Sequence, residues 1–341
     1  MAVKPIAPGS DSRVTHETAV LNGHTYHYLL GLPKNKPIKA TVFLIHGWPD
    51  IAFGWRYQIP ALIEMGFRVV AMDMMGYGGT DAPRVPPESI NLYTFKRASD
   101  DIAELARQLQ APTIVLGGHD WGGAVVYRAA LWYPKLISHV FAVCTPYWLP
   151  SKTYMTTEEL VKGPIPQFAY QLNLADLGPN GPEANIKSKD EIRQFVKFVS
   201  GGKGPNGEHG FTPMEGMKLE NLGKLEKGPL MSEEELEYYT EQFSRTGLHG
   251  PMNWYRTRRA NYEDELNLSE TSLQMPVLFI QAERDFVLKP EMSKGMEKHI
   301  PQLSRGEVDA NHFCLWEKPE EVNRILKEWV EGVVFGGKSV L

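Results

Sequence analysis

The sequence predicts an α/β fold, a mostly parallel sheet flanked by helices with a helical lid inserted, and three observations predict it. Up to about residue 145, short apolar runs alternate with longer amphipathic stretches, the rhythm of strands separated by helices in a parallel sheet. Between about Pro146 and Met275 that rhythm breaks: glycine and proline clusters (Gly178 to Pro182, Gly201 to Gly207) separate helix-like pieces, and no long apolar strand occurs. At Val277 the apolar runs resume. The expected organisation is residues 1–145 as the first part of the core, 146–270 as the lid and 271–341 as the second part of the core.

Taken in order, Val14 to Leu30 holds two strand-like runs split by Asn22-Gly23. A two-residue hairpin turn needs φ > 0 at both positions, which Asn and Gly tolerate best, so the sheet opens with an antiparallel pair. Buried strands are expected at Ala40–Ile45, Phe67–Met72, Thr113–Gly117, His139–Val143 and Val277–Gln281. Ile102, Leu105, Ala106 and Leu109 recur at i, i+3, i+4, i+7, as do Val322, Ile325, Leu326 and Trp329, so both segments read as helices covering the sheet. Within the lid, Ser188 with Glu191 and Ser232 with Glu235 form capping-box patterns ahead of apolar residues at helical spacing.

Composition narrows the function. The chain has 341 residues, 36 basic and 41 acidic, for a formal charge of −5, which argues against a nucleic-acid surface. Its 42% hydrophobic and 23% charged residues exclude a disordered chain. No apolar run approaches the ~18 residues of a membrane span. Pro5 and Pro8 interrupt an N-terminus that lacks the apolar segment of a secretory signal. The tail Lys338-Ser339-Val340-Leu341 shares only a serine and the last leucine with a peroxisomal address. Cys144 and Cys314, with no C-x-x-C pair, argue against a disulfide framework or a cysteine-based zinc site and fit a reducing compartment, so a cytoplasmic protein is expected.

The sharpest chemical signal is Gly118-His119-Asp120-Trp121-Gly122-Gly123, between the strand ending at Gly117 and an apolar helix expected from about Ala124. A strand-to-helix turn this tight forces its apex into a strained backbone and needs small neighbours. That is the nucleophile-elbow pattern with Asp120 in the place of serine; an ordinary glycine-rich turn with an Asp N-cap shares it. His46-Gly47-Trp48-Pro49 follows the strand ending at Ile45, the position that supplies an oxyanion-hole N–H beside such an elbow. Asp285 follows the strand Val277–Gln281, and His312 sits in Ala310-Asn311-His312-Phe313 before the last helix. Nucleophile, acid and histidine thus come in the chain order this fold demands. An acid after Val143 would serve equally, but Cys144-Thr145-Pro146 offers no carboxylate.

With these residues named, the chain resembles the soluble epoxide hydrolases of the α/β-hydrolase fold over nearly its whole length. The similarity lies in His46-Gly47-Trp48-Pro49, Asp73-Met74-Met75-Gly76-Tyr77-Gly78, Gly118 to Gly123, Asn253-Trp254-Tyr255-Arg256 and Asp285-Phe286-Val287. The two-domain vertebrate members carry a further N-terminal phosphatase domain, for which this length leaves no room. The resemblance implies a cofactor-independent enzyme, with no metal, whose partners are a small-molecule epoxide substrate and water. It also implies two lid tyrosines as catalytic and substrate-binding groups: by motif, Tyr170 in Phe168-Ala169-Tyr170-Gln171 and Tyr255 in Asn253-Trp254-Tyr255-Arg256, with Tyr147, Tyr154 and Tyr239 as competitors.

Chemistry agrees with an aspartate at the apex. A carboxylate attacking an acyl carbon gives an unstable anhydride, whereas attack on an sp³ carbon gives an ester that water can cleave. His312 is then the base of the second step, and Asp285 fixes its tautomer. The backbone N–H groups of Trp48 and Trp121 are the expected oxyanion hole, and the Trp121 indole is a candidate for lining the substrate pocket. Phenols remain neutral at pH 7 and can donate to the opening ring oxygen. A haloalkane dehalogenase would share the triad but not the lid tyrosines, and a non-catalytic ligand-binding member of the fold would not need every catalytic position filled.

Overall fold

In the computed structural model, which describes residues 4–336, one sheet contains eight strands: β1 (Val14–Leu21), β2 (His24–Gly31), β3 (Ala40–Ile45), β4 (Phe67–Met72), β5 (Ile114–His119), β6 (Ile137–Val143), β7 (Val277–Ala282) and β8 (Leu303–Val308). Their order across the sheet is β1-β2-β4-β3-β5-β6-β7-β8. The β1–β2 and β2–β4 pairs are antiparallel and the others parallel, giving the mostly parallel α/β sheet that the sequence predicts. The opening hairpin turns on Asn22 and Gly23, at φ 47° and 93°.

β5 and β7 are buried at every residue, and β3 at every residue but its first, because helices cover the sheet on both faces. Helix Trp121–Trp132 packs on β5 and β6, and Gln58–Met65 on β4. Helix Phe95–Gln108 buries Ile102, Leu105 and Ala106, and Pro319–Trp329 buries Val322, Ile325, Leu326 and Trp329, as the periodicity requires. Leu109 lies one residue beyond its helix, its N–H still bonded to the Leu105 carbonyl at 2.9 Å.

Two elements differ from expectation. β8 has no apolar run to announce it: Leu-Ser-Arg-Gly-Glu-Val is a half-exposed edge strand, held by its parallel register with β7. β5 runs on to His119 and the next helix begins at Trp121, so Asp120 alone makes the turn.

The chain divides into two compact units. One contains the sheet and comprises the chain up to Met74, Phe95–Pro150 and the chain from Asn267; the other comprises Met75–Thr94 and Ser151–Leu266. The sequence reading puts residues 75–94 in the core, yet they cluster with the lid because its groups bond them: the Trp254 indole N–H donates to the Met75 carbonyl at 3.0 Å, and the Val85 N–H donates to His249 Nε2 at 2.9 Å. The lid helices Lys189–Val199 and Glu233–Thr246 both start in capping boxes; a third box, Thr156 with Glu159, starts Thr157–Lys162. The two longer helices pack together through Phe195 and Phe243, ring centroids 5.6 Å apart. Among the described residues no helix is long and apolar enough to cross a membrane. The tail Lys338–Leu341 lies outside the described residues.

At the start of helix Trp121–Trp132, a Cβ added to Gly122 would lie 2.0 Å from the Ile45 carbonyl oxygen. Since both partners are backbone, Gly122→Ala is expected to lower stability by about 1–3 kcal/mol, seen as a lower Tm. An unchanged Tm would show that the helix start can shift away from β3 without cost.

Candidate active site

The apex of the elbow, Asp120, has φ 53° and ψ −123°, a region that non-glycine residues enter only when their surroundings compel it. Three donors hold its carbonyl: Gly123 N–H at 2.8 Å, Ala124 N–H at 3.3 Å and Thr145 Oγ1 at 2.7 Å. The side chain is thereby presented to the loop after β3, where the Trp48 N–H donates to Asp120 Oδ1 at 2.7 Å. The Trp121 N–H donates to the same carboxylate. This approach requires Gly47, whose added Cβ would lie 2.4 Å from both Cβ and Oδ1 of Asp120. His46 braces the loop. Its Nε2 accepts from the Met74 N–H at 3.0 Å, so Nδ1 carries the proton and donates to the Gly47 carbonyl at 2.8 Å.

His312 and Asp285 complete the cluster. His312 Nδ1 donates to Asp285 Oδ2 at 2.7 Å, and the Val287 and Leu288 N–H groups each donate to Asp285 Oδ1 at 2.9 Å. Both oxygens of Asp285 are thus engaged, and the ring of His312 is oriented with Nε2 toward Asp120. Nε2 lies 3.6 Å from Asp120 Oδ2, beyond hydrogen-bond reach. The backbone of His312 is held as well, its carbonyl accepting from His119 Nε2 at 2.9 Å and from the Cys144 thiol at 3.4 Å. Thr145 and His119, beside and inside the sequence motifs, carry no residue pattern that marks them as supporting groups, since each bonds a backbone carbonyl.

Burial and charge compete at each of these groups. Burial opposes the imidazolium of His312, but the charge and hydrogen bond of Asp285, with the charge of Asp120, outweigh it and raise its pKa to about 9. For Asp285, burial is outweighed by His312 and the two N–H donors, so its carboxyl lies below its usual range. Burial raises Asp120, with His312 and the Trp48 and Trp121 N–H groups offsetting part of the effect. Burial thus opposes the Asp120 anion, and His312 with the two N–H groups supports it. His119, driven down to about 3 by burial and by the charge of His312, is neutral.

His119, Cys144 and His312 offer three potential metal-ligand atoms within 4.8 Å of one another. Two of the ring nitrogens are already committed: His312 Nδ1 binds Asp285, and His119 Nε2 binds the His312 carbonyl. Cys144 and Cys314 are buried thiols with sulfurs 3.7 Å apart.

In the other unit, Tyr170 opens helix Tyr170–Ala175 and Tyr255 lies in the turn Trp254–Arg256. Both are buried, and their rings meet edge-on with centroids 5.8 Å apart at 79°. Gln171 Nε2 donates toward the Tyr170 oxygen at 3.5 Å. The competitors are placed differently. Tyr147 donates to the Thr271 carbonyl, Tyr154 lies between Tyr262 and Arg259, and Tyr239 is buried against Phe243. The structure thus gathers Asp120, His312, Asp285, Trp48 and Trp121 in the sheet unit, and pairs Tyr170 with Tyr255 in the lid unit. Trp121 is half-buried, its ring 5.8 Å from that of Phe95.

Residues 40–189 match the family described as alpha/beta hydrolase fold. The chain is 40% identical over 336 residues to an epoxide hydrolase of Neurospora crassa, covering 94% of this chain and 96% of that protein. It is 38% identical over 291 residues to bifunctional epoxide hydrolase 2 of Mus musculus, covering 84% of this chain and 51% of the relative, so it spans about half of that protein's length. Among solved structures, an epoxide hydrolase from Vigna radiata superposes with a TM-score of 0.80 at 26% identity, covering 95% of this chain and 99% of that one.

The raised pKa of His312 is attributed chiefly to Asp285. Replacing that carboxylate by an amide, Asp285→Asn, is expected to move the titration of the His312 ring, followed by NMR, from about 9 to lower pH. A midpoint that stays in place would show that Asp285 does not hold the charge.

Proposed function

The chain belongs to the epoxide hydrolase family of the α/β hydrolase fold, and from that premise we propose how its residues divide the work between two half-reactions. The enzyme adds water to an oxirane to give a vicinal diol. The observation that carries the residue assignment is the asymmetry of Asp120: Oδ1 receives the Trp48 N–H at 2.7 Å, while Oδ2 faces His312 Nε2 at 3.6 Å.

In the first half-reaction Asp120 Oδ2, the oxygen not occupied by the Trp48 donor, attacks a ring carbon of the oxirane. The carbon–oxygen bond of the ring breaks, and the leaving oxygen takes a proton or strong hydrogen bonds from the phenols of Tyr170 and Tyr255. Two adjoining rings, centroids 5.8 Å apart, suit two donors acting on one oxygen. The product is an ester of Asp120 with the hydroxyalkyl group.

The second half-reaction needs a base, and charge accounts for when one becomes available. At pKa about 9, His312 is cationic at pH 7 and cannot accept a proton. Esterification removes the negative charge of Asp120, one of the causes holding His312 up, so its pKa falls in the intermediate. Neutral His312 then takes a proton from water, which attacks the ester carbonyl carbon. The charge that develops on Oδ1 is received by the N–H groups of Trp48 and Trp121; as it collapses the bond from Cγ to Oδ2 breaks, the His312 imidazolium returns its proton to Oδ2, and the diol departs with that oxygen. Asp285 stabilises the imidazolium formed. The buried thiols of Cys144 and Cys314 suit a reducing setting such as the cytoplasm.

A single turnover in ¹⁸O-water with excess enzyme tests this route. Label is expected in the peptide containing Asp120 and not in the first diol released; label wholly in that diol would mean direct attack by water. Under the same scheme His312→Gln is expected to accumulate a covalent adduct heavier by one intact epoxide, visible by mass spectrometry, and to form it with a pH dependence shifted upward because the cation favouring the Asp120 anion is gone.

The tyrosines are tested separately. Tyr255→Phe or Tyr170→Phe is expected to slow ester formation by about 10²–10³, the usual cost of losing one oxyanion donor. The double variant should nearly abolish it. A silent Tyr170→Phe beside a crippled Tyr154→Phe would move the second donor to Tyr154.

A further inference from the structure

The two tyrosines lie 85 positions apart, so something must fix one phenol relative to the other. Their ring contact at 5.8 Å is an apolar edge-on packing that tolerates sliding. A directional tie exists beside it. Arg256, the residue after Tyr255, donates from Nε to the Ala175 carbonyl at 3.0 Å, and Ala175 is the last residue of the helix that Tyr170 begins. A closed circuit results: Tyr170, through one rigid helix, to Ala175; across the hydrogen bond to Arg256; along one peptide to Tyr255; and back through the ring contact.

The guanidinium has little freedom to release that bond. Its Nη1 donates to Asn253 Oδ1 at 2.8 Å and its Nη2 to Glu183 Oε2 at 3.0 Å, so three nitrogens are committed to three segments of the lid unit. Glu183 is anchored in turn. His249 Nε2 accepts from the Val85 N–H, which leaves the proton on Nδ1, and that N–H donates to Glu183 Oε1 at 2.7 Å. Burial disfavours both charges of the pair, but His249 and Arg256 hold the Glu183 carboxyl below its usual range, so the anion persists at neutral pH. The side chains of Arg256 and His249 are 11% and 6% exposed, which screens the network little. A lysine could supply the charge but not the planar fork that reaches all three acceptors.

We propose that Arg256, set by Glu183 and His249, is a positioning residue for ester formation: it fixes Tyr255 against Tyr170 so that both phenols reach one oxygen. This rests on the reading of the tyrosines as donors to the opening ring. Arg256 itself touches no reacting atom, so its loss acts on the half-reaction that uses the phenols and leaves the half-reaction run by His312 alone.

The test is single-turnover kinetics on a styrene oxide, with ester formation and ester hydrolysis measured separately. Arg256→Lys is expected to slow ester formation roughly ten- to a hundredfold, the scale of a misplaced catalytic group. Ester hydrolysis should stay within about twofold of the parent. Glu183→Gln, which keeps the guanidinium and the side-chain shape, should slow the same step to a smaller degree and carries the test if Arg256→Lys folds poorly. In a Tyr255→Phe background, Arg256→Lys should add less than about twofold, because its route of action is already gone. Ester formation unchanged in folded Arg256→Lys and Glu183→Gln, while Tyr255→Phe slows it, would overturn the proposal. So would equal slowing of both half-reactions, the mark of a general structural role. If Tyr255→Phe and Tyr170→Phe are themselves silent, it is the reading of the tyrosines as donors that fails, and the positioning role falls with it.

Discussion

The register between β3 and β5 is the constraint on which the site depends. Ile45, the last residue of β3, lies opposite Gly118, one residue before the end of β5, so the loops that leave the two strands start side by side. From this follow the 2.7 Å bond between the Trp48 N–H and Asp120, and the absence of side chains at Gly47 and Gly122, where a Cβ would meet Asp120 or the Ile45 carbonyl. The same parallel stacking brings in the remaining partners: β7 leads to Asp285, and β8 leads to the loop carrying His312. A slip of one residue in any of these pairings would turn every following side chain to the other face. Geometry at the ångström level is thus a property of the sheet first and of the loops second.

Charge inside that frame is arranged as a relay with one fixed member. Asp285, held by two N–H groups and His312, has its carboxyl below the usual range, which leaves Asp120 and His312 as the coupled pair. Each of these two supports the charged form of the other in the resting enzyme. A change of charge at either one therefore shifts the proton affinity of the other.

What was legible in the sequence and what was not divides along physical lines. Features with local chemical causes could be read: the Asn22-Gly23 turn, the capping boxes at Ser188 and Ser232, the buried apolar strands, and the small-residue turn around Asp120. The carboxylate that bonds His312 was legible through position, since Asp285 follows a strand and its rival position holds no carboxylate. Features caused by tertiary contact could not be read. β8 exists because it pairs with β7, its own residues being half polar. Residues 75–94 belong with the lid through bonds to Trp254 and His249, which stand far along the chain. Thr145 and His119 act on backbone carbonyls, and no residue pattern announces a backbone acceptor. The upward push of burial on Asp120 was invisible for the same reason.

That assignment of residues 75–94 has a consequence for how the molecule is made. The chain passes between units at Met74/Met75, Thr94/Phe95, Pro150/Ser151 and Leu266/Asn267. During vectorial synthesis the strap 75–94 leaves the ribosome before Phe95–Pro150, and its partners His249 and Trp254 emerge later still. At about 5–20 residues per second, the wait is on the order of ten seconds. The strap carries Met75, Tyr77 and Tyr93, all buried in the finished protein, and until Ser151 is made none of the rest of their unit exists to cover them. The unit can close only when its last helices, which carry the partners of its first segment, are translated.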